Sequence, residues 1–216
     1  FGFMPFYPGP GVGGHCIPID PFYLSWKARE YGIPTKFIEL AGEVNSIMPD
    51  YVISRVTQAL NVKKKSVKDA QILIVGLAYK ANVDDDRESP AFVFMDRFKQ
   101  SGAEVAYYDP YVPEIKVKRE HQQWTGTRSV EWKRKNIAAF DVALVSTAHK
   151  EINYKELADW IPLIVDTRNA LKDIKDIGFI EFEESDVVRN PLVSKIVSKY
   201  NEFEKIQRVG EKYKKK

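Results

Sequence analysis

Cysteine, one-sided charge and long apolar runs are all scarce in this sequence. Its 216 residues contain one cysteine, Cys16, so no disulfide can form within the chain, and a reducing, cytoplasmic setting is expected. The 33 basic and 30 acidic residues nearly balance, which argues against broad nucleic-acid binding. No stretch approaches the roughly 18 apolar residues of a membrane span, and no signal-peptide pattern is present. We therefore expect a globular protein with no nucleic-acid or membrane partner.

Histidine is also sparse, and its positions bear on metal binding. Of the three histidines, His121 and His149 have no partners at metal-ligand spacing, so no metal site is predicted. His15 adjoins Cys16, where it either favours the thiolate when protonated or makes a structural hydrogen bond.

The chain opens on an unusual segment. Phe1 is not a start methionine, and the run from Phe1 to Tyr7 is crowded with aromatic residues and proline, so we expect a fragment of a longer protein. Four prolines within residues 1–20 exclude a regular helix, and the glycines between them permit backbone angles closed to other residues. Residues 1–20 are therefore predicted to form an ordered loop.

Helical patterns follow over residues 21–61. Asp20 before Pro21 is a good helix start, with Asp20 as the N-cap. Thr35 is a candidate cap for a second helix, which Pro49 should kink or restart. A helical segment of this length suits packing against something large.

The pattern changes after the charged linker at residues 63–68. Short apolar runs within 71–76, 105–108, 141–145 and 163–166 predict four strands, and helical patterns separate them. Such alternation indicates βαβ units and a parallel sheet. We predict an α/β fold with four parts: a loop at 1–20, a helical connecting segment at 21–61, a Rossmann-like parallel-sheet domain at 62–185 and a helical, basic tail at 186–216.

Residues Gly9 to Gly14 match the dinucleotide pattern G-x-G-x-x-G, but their context excludes that function. The fingerprint needs a strand before it and a helix starting at its end. Here Phe6-Tyr7-Pro8 precedes the glycines, and no helix can begin before Asp20. The glycines instead allow a loop to run close to a ligand and to present its neighbours.

Cys16 is the neighbour that this loop presents. A lone cysteine is more often a buried packing residue. Cys16, however, lies in a glycine-rich loop and four residues before Asp20, at the start of a predicted helix. A helix N-terminus favours the thiolate, which is the nucleophilic form, so Cys16 is a candidate nucleophile.

Several motifs carry a resemblance to a known family. Gly11–Asp20, with the sequence Gly-Val-Gly-Gly-His-Cys-Ile-Pro-Ile-Asp, resembles the catalytic cysteine motif of the UDP-glucose/GDP-mannose dehydrogenase family. The flanking residues 7–10 and 21–24 resemble the corresponding residues in the branch of the family that acts on UDP-N-acetylhexosamines. A second block, Gly76–Pro90, resembles the family's C-terminal UDP-binding domain, and Asp166–Asn169 is a weaker match.

The resemblance implies an NAD-dependent UDP-sugar 6-dehydrogenase. Such enzymes oxidise the C6 alcohol of a UDP-sugar to a carboxylate and reduce two NAD per turnover. Cys16 would form a thiohemiacetal with the aldehyde and then a thioester, and Asp20 would position or activate water. The branch implies UDP-N-acetylglucosamine as the substrate, with UDP-glucose and UDP-N-acetylmannosamine as alternatives and the pathway left open.

The same resemblance implies a set of binding residues. NAD contacts are implied for Cys16, Ile17 and Arg87. Backbone N–H groups of a glycine loop suit phosphate oxygens, and arginine suits a diphosphate because of its bidentate geometry. From residue type alone, the basic members would be solvated surface charges. Substrate contacts are implied for Tyr7, Gly9, Gly11, Gly13, Tyr79, Lys80 and Arg168.

This sequence does not contain all the domains and residues that members of the family carry. Its N-terminal NAD-binding domain, with the true glycine fingerprint, and its catalytic lysine precede the cysteine motif. We therefore expect this chain alone to bind NAD poorly and to turn nothing over. The resemblance also implies a homodimer, in which the helical segment at 21–61 packs two subunits together. The competing hypothesis is a non-catalytic module for nucleotide-sugar binding or dimerisation, against which the retention of Cys16 and Asp20 argues.

Overall fold

A computed structural model describes residue 7 and residues 9–174. The predicted tail at 186–216 and the last residues of the predicted α/β domain lie outside this range. In the described part of the chain, no helix combines the length and apolarity needed to span a membrane.

Helix α1, Asp20–Glu30, begins one residue earlier than its cap signal predicts. Asp20 is the first helical residue, and Ile19 occupies the N-cap position without a side-chain cap. The prediction of Asp20 as the N-cap is wrong because a turn already precedes it: the N–H groups of Ile19 and Asp20 both donate to the Cys16 carbonyl, at 3.0 and 2.8 Å. The Asp20 side chain is thus exposed on the first turn.

Helix α2, Lys36–Val62, continues through Pro49, so the predicted restart of the helix at that residue is wrong. A proline inside a helix costs about 3 kcal/mol in isolation. Packing outweighs that cost here, because Pro49 is buried and the helix beyond it places Val52, Val56 and Leu60 in the hydrophobic core. Thr35 is the N-cap residue, but its hydroxyl donates to the Glu39 carboxylate instead of capping a backbone N–H.

The four predicted strands are confirmed to within a residue or two at each end, and all pair in parallel. They are β1 Gln71–Val75, β2 Glu104–Tyr108, β3 Val142–Val145 and β4 Ile164–Asp166, in the spatial order β2-β1-β3-β4. The sequence analysis missed a single 3-10 turn at Gln122–Trp124 and a short helix, α4, at Arg134–Ile137.

Helices cover both faces of the sheet. On one face, α2 and α3 (Pro90–Gln100) pack on side chains such as Ile72, Ile74 and Leu144. On the other face, α4 and α5 (Tyr154–Trp160) pack on Leu73, Val75 and Val145. The predicted helix at Ser89-Pro90 is confirmed, and its cap is formed, since the Ser89 hydroxyl accepts the N–H of Ala91 at 3.3 Å. The result is a three-layer α/β/α domain.

Candidate functional site

The strand order reverses between β1 and β3, and their carboxyl ends meet in close backbone contact. Open α/β sheets bind ligands at such a switch point. Gly76 directly follows β1 with a φ of +86°, and the Thr147 carbonyl leaves no room there for a Cβ atom. Glycine is therefore required both by backbone angle and by space. The loops after β1 and β3 leave the sheet from this contact.

Asp109, at the carboxyl end of β2, holds the start of the loop that follows β1. Its Oδ2 accepts the N–H groups of Leu77 and Ala78 at 2.6 and 2.9 Å. Its Oδ1 accepts those of Tyr111 and Val112 at 2.8 and 3.1 Å. One buried carboxylate thus organises two loops at the carboxyl edge of the sheet.

His149 completes the environment of this carboxylate. Its Nε2 lies 3.0 Å from Asp109 Oδ2, and its Nδ1 accepts the N–H of Asn82 at 2.9 Å. Because Nδ1 is an acceptor, the ring proton belongs on Nε2, and the imidazole is neutral. Burial raises the pKa of Asp109, but the hydrogen bonds from His149 and from Ala78 N–H outweigh it, so that the pKa lies below its usual value.

The loop after β1 presents Tyr79 and Lys80, which the resemblance assigned to the substrate. The N–H of Tyr79 donates to the Asp85 carbonyl at 2.9 Å, which folds the loop back on itself. Tyr79 is half-buried, whereas Lys80 is exposed. The ring of Tyr79 is covered by the cysteine loop.

The cysteine loop, residues 9–16, packs directly on the loop after β1. The N–H of Gly14 donates to the Arg87 carbonyl at 3.0 Å. A Cβ built on Gly13 would lie 2.7 Å from the Glu88 carbonyl oxygen and 2.7 Å from Tyr79 Cβ, and one on Gly11 would lie 3.2 Å from Pro90. The two motifs, about sixty residues apart in sequence, are therefore in contact.

Cys16 lies at the end of this loop, just ahead of α1, and is exposed, as is Ile17. The backbone hydrogen bond from Asp20 N–H to the Cys16 carbonyl places the two residues one helical turn apart. Both side chains thus belong to the same exposed turn.

Arg87 is near enough to the thiol for the two groups to interact electrostatically. Its guanidinium donates to both carboxylate oxygens of Asp85, at 2.6 to 3.1 Å. This hydrogen bonding raises the pKa of Arg87 above its usual value, and Tyr79 and Cys16 contribute less. It also lowers the pKa of Asp85, against the effect of partial burial. Although paired, the Arg87 side chain is 65% exposed and open to a ligand.

Arg168 follows β4 and points at the start of the cysteine loop. Its Nη1 is so close to Gly9 that a Cβ at that position would collide with it. Its backbone N–H donates to Asp166 Oδ1 at 2.8 Å, but its guanidinium makes no hydrogen bond to any described residue. Burial lowers the pKa of Arg168, while the Asp166 charge opposes the shift. Tyr7, by contrast, is 83% exposed.

The structure thus assembles most of the predicted site residues and adds some that the sequence analysis missed. The sequence analysis did not single out Asp109, which directly follows the run at 105–108, and it considered His149 only as a histidine without a metal partner. Their position just past the carboxyl ends of two strands was the available signal. Within residues 9–174 and at residue 7, no three His, Cys, Asp or Glu side chains are grouped so as to hold a metal ion.

The fold and the site define an α/β protein with a parallel sheet whose carboxyl edge carries the loops after β1 and β3, and with a cysteine-bearing loop packed against that edge. Two consecutive stretches of the chain match models of one family: residues 73–173 match the UDP-binding domain, and residues 1–47 the central domain. The chain belongs to the UDP-glucose/GDP-mannose dehydrogenase family. Members of this family are NAD-dependent.

Individual relatives agree with this assignment. The chain is 34% identical to UDP-N-acetyl-D-mannosamine dehydrogenase of Pyrococcus horikoshii, over 80% of this chain and 38% of that protein. It is 31% identical to UDP-N-acetyl-D-glucosamine 6-dehydrogenase of Pseudomonas aeruginosa, over 80% and 39%. The solved structure of UDP-D-ManNAc dehydrogenase from P. horikoshii superposes with a TM-score of 0.65 at 30% identity, over 81% of this chain and 39% of that one. The chain thus spans about two fifths of these relatives.

Proposed function

We propose that this chain supplies the catalytic thiol and the UDP side of the substrate site in an NAD-dependent UDP-sugar 6-dehydrogenase. The observation that carries the proposal is the packing of the cysteine loop on the loop after β1, through Gly13 and Gly14 against Tyr79 and Arg87. This contact brings a nucleophile to the edge of the sheet where nucleotides bind. A nucleotide-binding module without chemistry has no use for an exposed cysteine at that place.

The UDP moiety would bind at the carboxyl edge of the sheet. Arg168 offers a half-buried guanidinium that has no acceptor among the described residues, which suits a phosphate oxygen. Lys80 offers an exposed ammonium group on the loop after β1. Gly9 and Gly11 would let the backbone of the cysteine loop approach the ligand, and Tyr7 would join them from its exposed position.

Cys16 would act on the aldehyde formed by the first oxidation of the C6 alcohol. Its thiolate adds to the aldehyde carbon, and the resulting thiohemiacetal, as its oxyanion, would lose a hydride to NAD and so become a neutral thioester. Water then attacks the thioester carbonyl, which releases the carboxylate and regenerates the thiol. Asp20 would accept the proton of that water, because its carboxylate is exposed one turn from Cys16 and caps no backbone N–H.

NAD would accept the hydrides when bound. The chain's own residues fit contact with it through exposed groups only, namely Arg87 together with Cys16 and Ile17. The fit is partial, since the glycine pattern at Gly9 to Gly14 lacks the preceding strand and following helix that a dinucleotide domain needs. We therefore propose that the isolated chain binds NAD weakly and has no dehydrogenase activity.

The sugar is proposed to be an N-acetylhexosamine. The motif extensions at residues 7–10 and 21–24 led to UDP-N-acetylglucosamine, and the Pseudomonas relative carries that sugar in its name. UDP-N-acetylmannosamine is the second candidate, and the name of the Pyrococcus relative favours it.

The helical segment is proposed to pack against a second copy of the chain. Large apolar side chains on and around α1 and the first half of α2 are exposed, beyond what isolated surface residues explain. They include Tyr23, Leu24, Trp26, Tyr31, Ile33 and Phe37, at 59 to 81% exposure. Such a surface needs a covering partner in water.

The decisive experiment is NADH formation by the full-length gene product that contains this chain, given NAD and a panel of UDP-sugars. We expect turnover of a UDP-N-acetylhexosamine and its loss in Cys16→Ser, which should still bind UDP. Turnover of UDP-glucose alone would retain the mechanism and reject the sugar. Absence of turnover with every sugar by the folded protein, together with intact UDP binding, would support the non-catalytic binding module instead.

A further inference from the structure

We propose that His149 is a positioning residue for the nucleotide site, which holds the loop from Tyr79 to Glu88 in the conformation that presents Tyr79 and Lys80 to the ligand. The inference rests on the proposed function, since it takes this loop as the UDP-binding loop. It assigns a role to a residue that is fully buried and does not belong to the cysteine motif.

His149 is fully buried and uses both ring nitrogens. Its Nε2–H points to Asp109, whose carboxylate already accepts four backbone N–H groups and is itself 2% exposed. With this anchor the ring cannot rotate without leaving a buried charge short of a donor. The direction of Nδ1 is thereby fixed.

Nδ1 is directed at the far side of the loop after β1. It accepts the N–H of Asn82, which has a φ of 63°, in the left-handed region that side chains other than glycine rarely adopt. The side-chain oxygen of Asn82 in turn accepts the N–H of Lys150 at 2.8 Å. Asn82 is therefore bound to two consecutive residues after β3, and these bonds hold its left-handed backbone conformation in place.

The two ends of the short stretch carrying Tyr79 and Lys80 have different anchors. At the near end, the Leu77 and Ala78 N–H groups bind Asp109, and the Thr147 hydroxyl donates to the Ala78 carbonyl at 2.6 Å. None of these bonds involves His149. At the far end, the bonds made by Asn82 link the stretch to the segment after β3. Loss of the bond between His149 Nδ1 and Asn82 N–H should therefore loosen the far end, which then keeps only the bond between Asn82 and Lys150, while the near end stays in place.

A buried histidine can also be a purely structural residue, and the two roles predict different results for two variants. His149→Gln places an amide N–H near the position of Nε2 and so keeps a donor for Asp109, but it offers nothing at the position of Nδ1. His149→Asn places an amide oxygen near the position of Nδ1 and so keeps the acceptor for Asn82, but it leaves Asp109 without its side-chain donor. Each variant removes one of the two bonds.

If His149 positions the loop, affinity and stability should rank the variants in opposite orders. His149→Gln should bind UDP about tenfold more weakly than the unmodified chain, and His149→Asn less than about threefold more weakly. His149→Asn should nevertheless melt at the lower temperature, because it removes a donor from a buried, charged carboxylate, whereas His149→Gln removes an acceptor from the neutral N–H of Asn82, an exposed residue. A structural residue would give the same order in both measurements.

The experiment is UDP titration by calorimetry and thermal melting on the full chain and both variants. Opposite rankings support the inference. Parallel rankings, or equal UDP affinities in both variants, overturn it and leave the proposed function intact. If the unmodified chain does not bind UDP, the proposed nucleotide site itself is wrong, and the inference falls with it.

One measurement on the unmodified chain covers the case in which His149→Gln does not fold. The Asn82 amide hydrogen should exchange more slowly with solvent when UDP is bound, because the ligand stabilises the loop conformation in which Nδ1 accepts it. An exchange rate that UDP binding leaves unchanged would overturn the positioning role.

Discussion

Gly14 packs against the ring of Tyr79 so closely that a Cβ at Gly14 would come within 2.9 Å of the ring atom Cε2. This contact joins the loop that carries the thiol to the loop that is proposed to bind the nucleotide. The φ of Gly14 is +90°, so that glycine is favoured there by backbone angle as well as by space.

Gly14→Ala should therefore affect both stability and UDP binding. The left-handed backbone angle alone should cost about 1 kcal/mol of the free energy of unfolding, and displacement of Tyr79 should add about 1 to 3 kcal/mol. Gly32→Ala is the matched control, because Gly32 has a φ of +70° and no atom within 4 Å of a built Cβ. Urea unfolding and UDP titration of both variants provide the measurement, and equal losses in the two would contradict the contact.

Replacement of Arg168 should weaken UDP binding without lowering the stability of the fold. Burial lowers its pKa, which means that the fold disfavours the charge, and no described residue accepts a hydrogen bond from the guanidinium. Arg168→Gln should thus leave the melting temperature unchanged or raise it, while UDP binding weakens about tenfold or more. Arg128→Gln is the control, because the Arg128 side chain is 81% exposed and belongs to neither the cysteine loop nor the loop after β1. A less stable Arg168→Gln with normal UDP affinity would reverse this interpretation.

The ion pair between Lys118 and Asp86 should be worth more than a surface pair. The two groups are 2.6 Å apart, their side chains are only 15% and 16% exposed, and the ammonium also lies 4.8 Å from the Phe92 ring centroid. A double-mutant cycle with Lys118→Met and Asp86→Asn should give a coupling energy of about 1 to 2 kcal/mol.

The exposed pair of Arg128 and Glu114, with side chains 81% and 49% exposed, provides the comparison. Its coupling energy should not exceed about 0.5 kcal/mol, because water screens it. Equal couplings for the two pairs would show that the burial of Lys118 and Asp86 is not what matters.

Asp109 should make the fold sensitive to acid. Its folded-state pKa lies below the unfolded value of about 4, so its contribution to stability is present above that pH and is lost as the pH falls through the folded pKa. Urea unfolding at a series of acidic pH values should show this loss, and Asp109→Asn should have a shallower pH dependence. Asp85 and Asp141 shift in the same direction, so the difference between the two proteins isolates the part due to Asp109. An unchanged slope would contradict it.

The strands and their order along the chain could be predicted because short apolar runs alternate with helical patterns. Ile72, Leu73, Ile74 and Val75 are all buried, which is what a continuous apolar run in a central parallel strand requires. The helix that begins after Ser89 could also be predicted, because its N-cap and its first-turn proline are local signals. These features depend on neighbours in sequence.

Pro49 and Asp20 show where local signals fail. Pro49 is a helix breaker by itself, but burial of the side chains that follow it in α2 outweighs the lost backbone bond. Asp20 is a good N-cap by residue type, but because the Cys16 carbonyl closes a turn before it, α1 begins one residue earlier than predicted. In both cases a contact outside the motif decides the outcome.

The sequence by itself determined the α/β class, the two motifs and the identity of the candidate nucleophile, because periodicity, glycine spacing and residue type are local properties of the chain. Only the tertiary structure decided that Gly14 meets Tyr79, that Arg168 reaches Gly9 and that His149 links Asp109 to Asn82. These residues are far apart in sequence and meet because parallel strands bring their carboxyl ends to one edge of the sheet, where β1 and β3 part.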